Sequence, residues 1–179
     1  QLNEEGRLLP QDRMVLAKLL LALGEWPQAK AMLLQLMNDP ACPPSDLAFG
    51  IRTLMNHSEL EQVGELIDKL AAKRADKLQT LELKARYLTA LRENDEAIAL
   101  LESAMQPDDD QPPIATKSQI ALIYLGFAEF MDRTGRTVDA ELFSDKSKEY
   151  LDQTKADNPA QTLLLVRLLK LRGEYEQAL

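Results

Sequence analysis

Leu21 to Ala29 reads LALGEWPQA: an apolar run stops at Gly24, and the only tryptophan of the chain, Trp26, follows two residues later with Pro27 and Ala29 behind it. Glycine closes a helix readily because it enters the left-handed conformation without a Cβ clash. Pro27 is tolerated in a first helical turn, where the N–H it lacks has no intrahelical partner. The stretch therefore reads as a corner between two helices.

The corner recurs. Gly173, Tyr175 and Ala178 repeat its spacing, Gly135, Thr137 and Ala140 give a weaker copy, and Asn94 with Ala97 and Leu60 with Val63 weaker ones still. Anchored on the last residue of each copy, Ala29, Val63, Ala97, Ala140 and Ala178 are separated by 34, 34, 43 and 38 residues. A period of 34 is the length of two antiparallel helices and two short turns.

The columns upstream of the anchors agree. Nine residues before them stand Leu20, Leu54, Leu88, Met131 and Leu169, all large and apolar; twelve before stand Ala17, Ile51, Ala85, Ala128 and Val166, mostly small. A small residue one turn from a bulky one lets a neighbouring helix approach closely. Downstream, Leu33 and Leu36, Ile67 and Leu70, and Leu101 and Ala104 make one buried stripe at helical spacing, whereas the fourth copy has Ser144 and Ser147 there. The second helix of that copy is expected to be longer or rotated, with Phe143, Tyr150 and Leu151 supplying apolar surface.

On these residues the chain resembles the tetratricopeptide repeat family. Ala17, Gly24, Trp26 and Ala29 match its pattern of a small residue, a turn glycine, an aromatic residue and an alanine, as do Ala128, Gly135 and Ala140, and Gly173, Tyr175 and Ala178. The second copy departs, with Gly50 and Ile51 where one small residue is usual and Ser58 at the turn; the third has Arg92 there. The resemblance implies an all-α fold, a right-handed α-solenoid of about five hairpins spanning 9–43, 44–76, 77–113, 114–157 and 158–179, the last truncated. Such repeats bury their apolar faces by stacking on one another, so residues 1–179 are expected to form a single domain and a fragment of a longer protein.

First helices are expected at 10–22, 45–56, 78–92, 115–133 and 159–171, and their partners at 26–38, 59–73, 95–105, 137–154 and from 174 onward. Ser58 with Glu61 has the spacing of a capping box, and Asn158 with Pro159 that of an N-cap followed by a first-turn proline. QPDDDQPP from Gln106 to Pro113 and NDPACPPSD from Asn38 to Asp46 are loops by composition. Asp108, Asp109 and Asp110 lack the spacing of a calcium loop and read as a solvated linker.

A net charge of −8 disfavours a partner made of nucleic-acid phosphates. No apolar stretch is long enough to span a bilayer. One cysteine, Cys42, and one histidine, His57, leave no intrachain disulfide and no Cys/His zinc set. No phosphate-binding glycine loop is present. Neither an enzyme nor a cofactor or metal protein is expected; a soluble chain is, with the cytoplasm as the default compartment.

The resemblance further implies that first helices line a concave groove that holds peptides or partner helices. The residue eleven before each anchor is then inward-facing: Lys18, Arg52, Arg86, Glu129 and Arg167, four of five basic in an acidic chain. Lys18, Arg52 and Arg86 form a ladder suited to an acidic peptide, or else pair internally with carboxylates of adjacent helices. Met14, Met55 and Leu125 are expected to add adaptable apolar surface there. The carboxylate clamp of the chaperone-binding subclass is not reproduced, since Met14 stands beside Lys18 in its place. The expected partner is thus a protein or peptide, with self-association through the truncated end as a further expectation, and a structural spacer or a regulatory domain of a larger protein as the alternatives.

Overall fold

A computed structural model of the chain describes residues 10–73, 75–107, 112–154 and 159–174, and every regular element among them is an α-helix. In order these are α1 (Pro10–Ala22), α2 (Trp26–Asn38), α3 (Pro44–Asn56), α4 (Val63–Ala72), α5 (Lys77–Ala90), α6 (Asn94–Ser103), α7 (Lys117–Arg133), α8 (Thr137–Asp152) and α9 (Pro159–Leu171). Asp108 to Asp110, Asn158, Tyr175, Ala178 and, beyond Glu174, the second helix expected from 174 onward lie outside the described residues.

The corners are alike in backbone detail. Gly24, Ser58, Arg92, Gly135 and Gly173 hold φ of 77°, 59°, 70°, 74° and 74°, and they are the positive-φ residues among those described. At each, the next residue's amide reaches back over the turn: Glu25 to the Leu20 carbonyl at 2.9 Å, Glu59 to Leu54 at 3.0 Å, Glu93 to Leu88 at 2.9 Å, Arg136 to Met131 at 2.8 Å and Glu174 to Leu169 at 2.9 Å. The left-handed residue's own amide donates to the carbonyl three back, as Gly24 does to Leu21 and Arg92 to Thr89. This is the Schellman closure, which satisfies two carbonyls that the helix end leaves unpaired. The apolar column nine before each anchor thus supplies the acceptor carbonyl of every corner.

Two sequence expectations change here. Ser58 occupies the turn position with a positive φ, which an N-cap residue does not adopt, so the capping box with Glu61 does not form and α4 starts at Val63 rather than near 59. A complete capping box stands instead at α7: the Gln119 amide donates to Thr116 Oγ1 at 3.3 Å, and the Thr116 amide donates to Gln119 Oε1 at 2.8 Å.

The chain divides into two compact units, Gln1–Ala97 and Ile98–Leu179. In the first, α1 packs on α2, α3 on α2 and α4, and α5 on α3 and α4. Ala17, Ile51 and Ala85 of the small column and the anchors Ala29 and Val63 are fully buried. The second copy gains its close approach from Gly50: a Cβ there would overlap the sulfur of Met37, itself fully buried. Lys69 of α4 donates to the Met37 carbonyl at the end of α2, and Lys73, just past α4, to that of Pro40 in the loop that follows, at 2.7 Å.

In the second unit α7, α8 and α9 pack on one another around Tyr124, Phe127 and Phe143. Phe127 meets Phe143 edge to face at 5.4 Å, a favoured geometry for aromatic rings. The helix pair is longer than those before it, with 17 residues in α7 and 16 in α8. Its two serines are buried, and Ser147 donates to the Ala121 carbonyl at 2.9 Å, so the hydroxyl is satisfied by the facing helix rather than by water.

Candidate interaction surface

In the first unit each basic residue of the expected ladder touches the neighbouring copy. The Lys18 ammonium lies 5.1 Å from the centre of the Phe49 ring, close enough for a cation–π attraction. Arg52 Nη2 donates to Glu82 Oε2 at 3.5 Å, and Arg86 Nη2 to Asn56 Oδ1 at 3.4 Å. Successive first helices of this unit are therefore joined by side-chain contacts. The Arg52–Glu82 pair is long and about one-third exposed on both sides, and pairs of that kind contribute at most about 1 kcal/mol.

In the second unit Arg167 grips Glu129 from two nitrogens, with Nε donating to Oε1 at 3.1 Å and Nη2 to Oε2 at 2.7 Å. The one acidic member of the column is thus the partner of its own basic member. This forked geometry is the strong form of the interaction, and Arg167 is not an open binding group.

The methionines are a correction. Met14 and Met55 are buried, at 5% and 6% exposure, and Leu125 is fully buried. Met14 and Met55 belong to the apolar core of the first unit with Leu33, Ile51 and Leu54, because their helix faces turn toward the packed second helices. They fill space between helices and present no surface to a partner.

His57 stacks on Trp26 with ring centres 3.6 Å apart and planes within 5°, so the only histidine and the only tryptophan cover one corner together. Beside them Lys30 pairs with Glu59 at 2.7 Å and holds that carboxyl below its usual range. The Cys42 thiol is buried and bonded to the Pro43 carbonyl, and burial pushes its pKa up, the opposite of an activated nucleophile. Among the described residues no group of three His, Cys, Asp or Glu side chains is placed to hold a metal ion. No described helix is long and apolar enough to cross a membrane.

The second unit contains a polar cluster that local sequence patterns do not announce. Glu102 Oε1 accepts from Lys146 Nζ at 2.9 Å and from the Tyr150 hydroxyl at 3.1 Å. These partners are 44 and 48 residues apart, beyond the reach of any helical spacing. The bonds from Lys146 and Tyr150 hold the Glu102 carboxyl below its usual range, while burial and the Glu102 charge push Tyr150 up to about 12. A separate cavity of about 380 Å³ lies between α8 and the end of α9, with Asp132, Glu141, Asp145 and Glu174 in its lining beside Ala140 and Leu171. Arg172, in its lining, is engaged by Asp145 and Glu174 at 2.5 and 2.7 Å. Comparison with protein-family models, with curated proteins and with solved structures finds no match to this chain.

Proposed function

We propose that the chain is a protein-interaction scaffold of tetratricopeptide-like hairpins, stacked as a right-handed solenoid, that holds an acidic peptide or partner helix and carries out no chemistry. The observation that supports this reading is the set of five identical left-handed closures at Gly24, Ser58, Arg92, Gly135 and Gly173, two of them kept by residues that are not glycine. A backbone corner retained against the preference of its side chain is what a repeating architecture requires. The binding element is the first-unit ladder of Lys18, Arg52 and Arg86, in which the long, part-exposed Arg52–Glu82 pair yields to a stronger acid.

The test is an array of acidic peptides probed with the full chain and with the Lys18→Glu, Arg52→Glu, Arg86→Glu triple variant. Captured peptides should be lost by the variant; capture unchanged by it removes the ladder from the account.

A second reading has its own support. Because Arg52, Arg86 and Arg167 all meet side chains of adjacent first helices, the column also serves a structural spacer, fastening one copy to the next. Under that reading the triple variant melts earlier, and no acidic peptide binds the native chain.

A further inference from the structure

In the first unit, α1, α3 and α5 together carry six Lys and Arg against three Asp and Glu, although the whole chain has 21 against 29. Two of those cations lie in matched contacts. Arg52 of α3 meets Glu82 of α5, Arg86 of α5 meets Asn56 of α3, and both pairs span 30 residues, so the two helices run parallel with their contacts stepped by four residues. Four residues are one helical turn, about 6 Å along the axis. The face shared by α3 and α5 thus carries two cross-links about 6 Å apart, each with a guanidinium. Arg52 and Arg86 are both half-buried, and Asn56 is exposed, with its Oδ1 taken by Arg86 and its amide nitrogen bonded to no described residue.

We propose that these two cross-links recognise an extended peptide with acidic side chains at alternate positions, i and i+2, the first carboxylate taken by Arg52 in place of Glu82 and the second by Arg86. This deepens the acidic-peptide reading given above and rests on it. In an extended chain the side chains of i and i+2 point the same way and stand about 6.6 Å apart, close to the step between the cross-links. Those of i and i+1 point to opposite faces, and i+3 lies about 10 Å from i on the wrong face. A helix with acids at i and i+4 offers a similar spacing, but a docked helix lays an apolar face into an apolar groove. No large hydrophobic side chain of α3 or α5 is exposed to receive one. An extended peptide instead keeps its backbone carbonyls open, and the Asn56 amide beside Arg86 is a donor for one of them. Each guanidinium can give a carboxylate two parallel hydrogen bonds, which fixes the direction of the acid as well as attracting it.

The experiment is fluorescence anisotropy of the full chain with short labelled serine–glycine peptides, each holding two aspartates at i and i+1, i+2, i+3 or i+4, so that all share one charge. The i, i+2 peptide should bind several-fold more tightly than the others, because its second carboxylate engages as an intramolecular event. Arg52→Gln and Arg86→Gln should each abolish that preference with unchanged helical circular dichroism. Lys84→Gln removes an exposed cation from the opposite side of α5 and should lower all four affinities alike. Equal affinities for the four peptides, a preference for i and i+4, or an i, i+2 preference that survives either arginine substitution overturns the alternating register while the acidic-peptide reading stands. Failure of every two-aspartate peptide to bind overturns both.

Discussion

The Glu59 amide donates to the Leu54 carbonyl at 3.0 Å across Ser58, which is held at a φ of 59°. An L residue pays about 1–2 kcal/mol for that conformation, and glycine does not. Ser58→Gly should therefore stabilise the chain by about 1 kcal/mol, after allowing for the freer unfolded state of glycine. Gly24→Ala, at a φ of 77°, should destabilise it by about the same amount. Urea midpoints of the two variants moving in the same direction would contradict the assignment of both to one kind of corner.

Gly50 gives a different expectation, because its φ is ordinary and its constraint is space. Gly50→Ala gains about 1 kcal/mol of helix propensity but drives its methyl into Met37, and overpacking costs about 1–3 kcal/mol. The net change should be destabilising. Met37→Ala should relieve the clash, so that Gly50→Ala becomes neutral or stabilising in that background. Additive effects of the two substitutions in a denaturation cycle would show that α2 and α3 do not meet there.

The Trp26–His57 stack should be measurable in the same way. The rings lie face to face with centres closer than the 4.5–7 Å of the favoured offset and edge-on pairs, so His57→Ala should lower stability by about 0.5 kcal/mol beyond area burial, the low end of the range for ring pairs. The effect should vanish in a Trp26→Leu background. Trp26 emission is a convenient second readout, since removing His57 exposes the indole to water and shifts its maximum to the red.

The acid–base behaviour of the second unit follows from Glu102, Lys146 and Tyr150. The folded-state pKa of Glu102 is depressed, so its contribution is present above the ordinary carboxylate range and is lost as pH falls through the folded value. Tyr150 is raised to about 12 and Tyr124 is raised as well, so the folded state keeps protons that the unfolded state has released. Stability should fall as pH climbs from about 10 toward 12. Tyr124→Phe and Tyr150→Phe should each remove part of the late-titrating tyrosinate absorbance of the native chain. Glu102→Gln should flatten the acid limb of the stability profile.

Much of the fold was legible because the corners carry strong local signals. Gly24, Pro27 and Ala29 give both ends of a turn within six residues, and α1 and α2 begin and end where the sequence places them. Ser58 and Arg92 were harder, since neither favours positive φ; only their distance from the other corners points to their conformation. Gly50 departs from the repeat pattern in sequence, and its reason lies in another helix, where Met37 occupies the space above it. The candidate surface was less legible than the fold. Register identifies Lys18, Arg52 and Arg86, but whether a long side chain finds Phe49, Glu82 or Asn56 depends on the neighbouring copy's rotamers. Met14 and Met55 failed as surface residues because a helix face that points toward a groove in one repeat family still turns part of its width toward the second helices.

Glu82 offers the most direct test of the central claim, that the ladder receives an acidic partner in competition with the chain's own carboxylate. Titration calorimetry of an array-selected acidic peptide into the native chain and into Glu82→Gln should show the variant binding several-fold more tightly, since Arg52 no longer has an internal anion to give up. The gain should shrink at high salt. Equal affinity for the two proteins, or weaker binding by Glu82→Gln, would contradict the account.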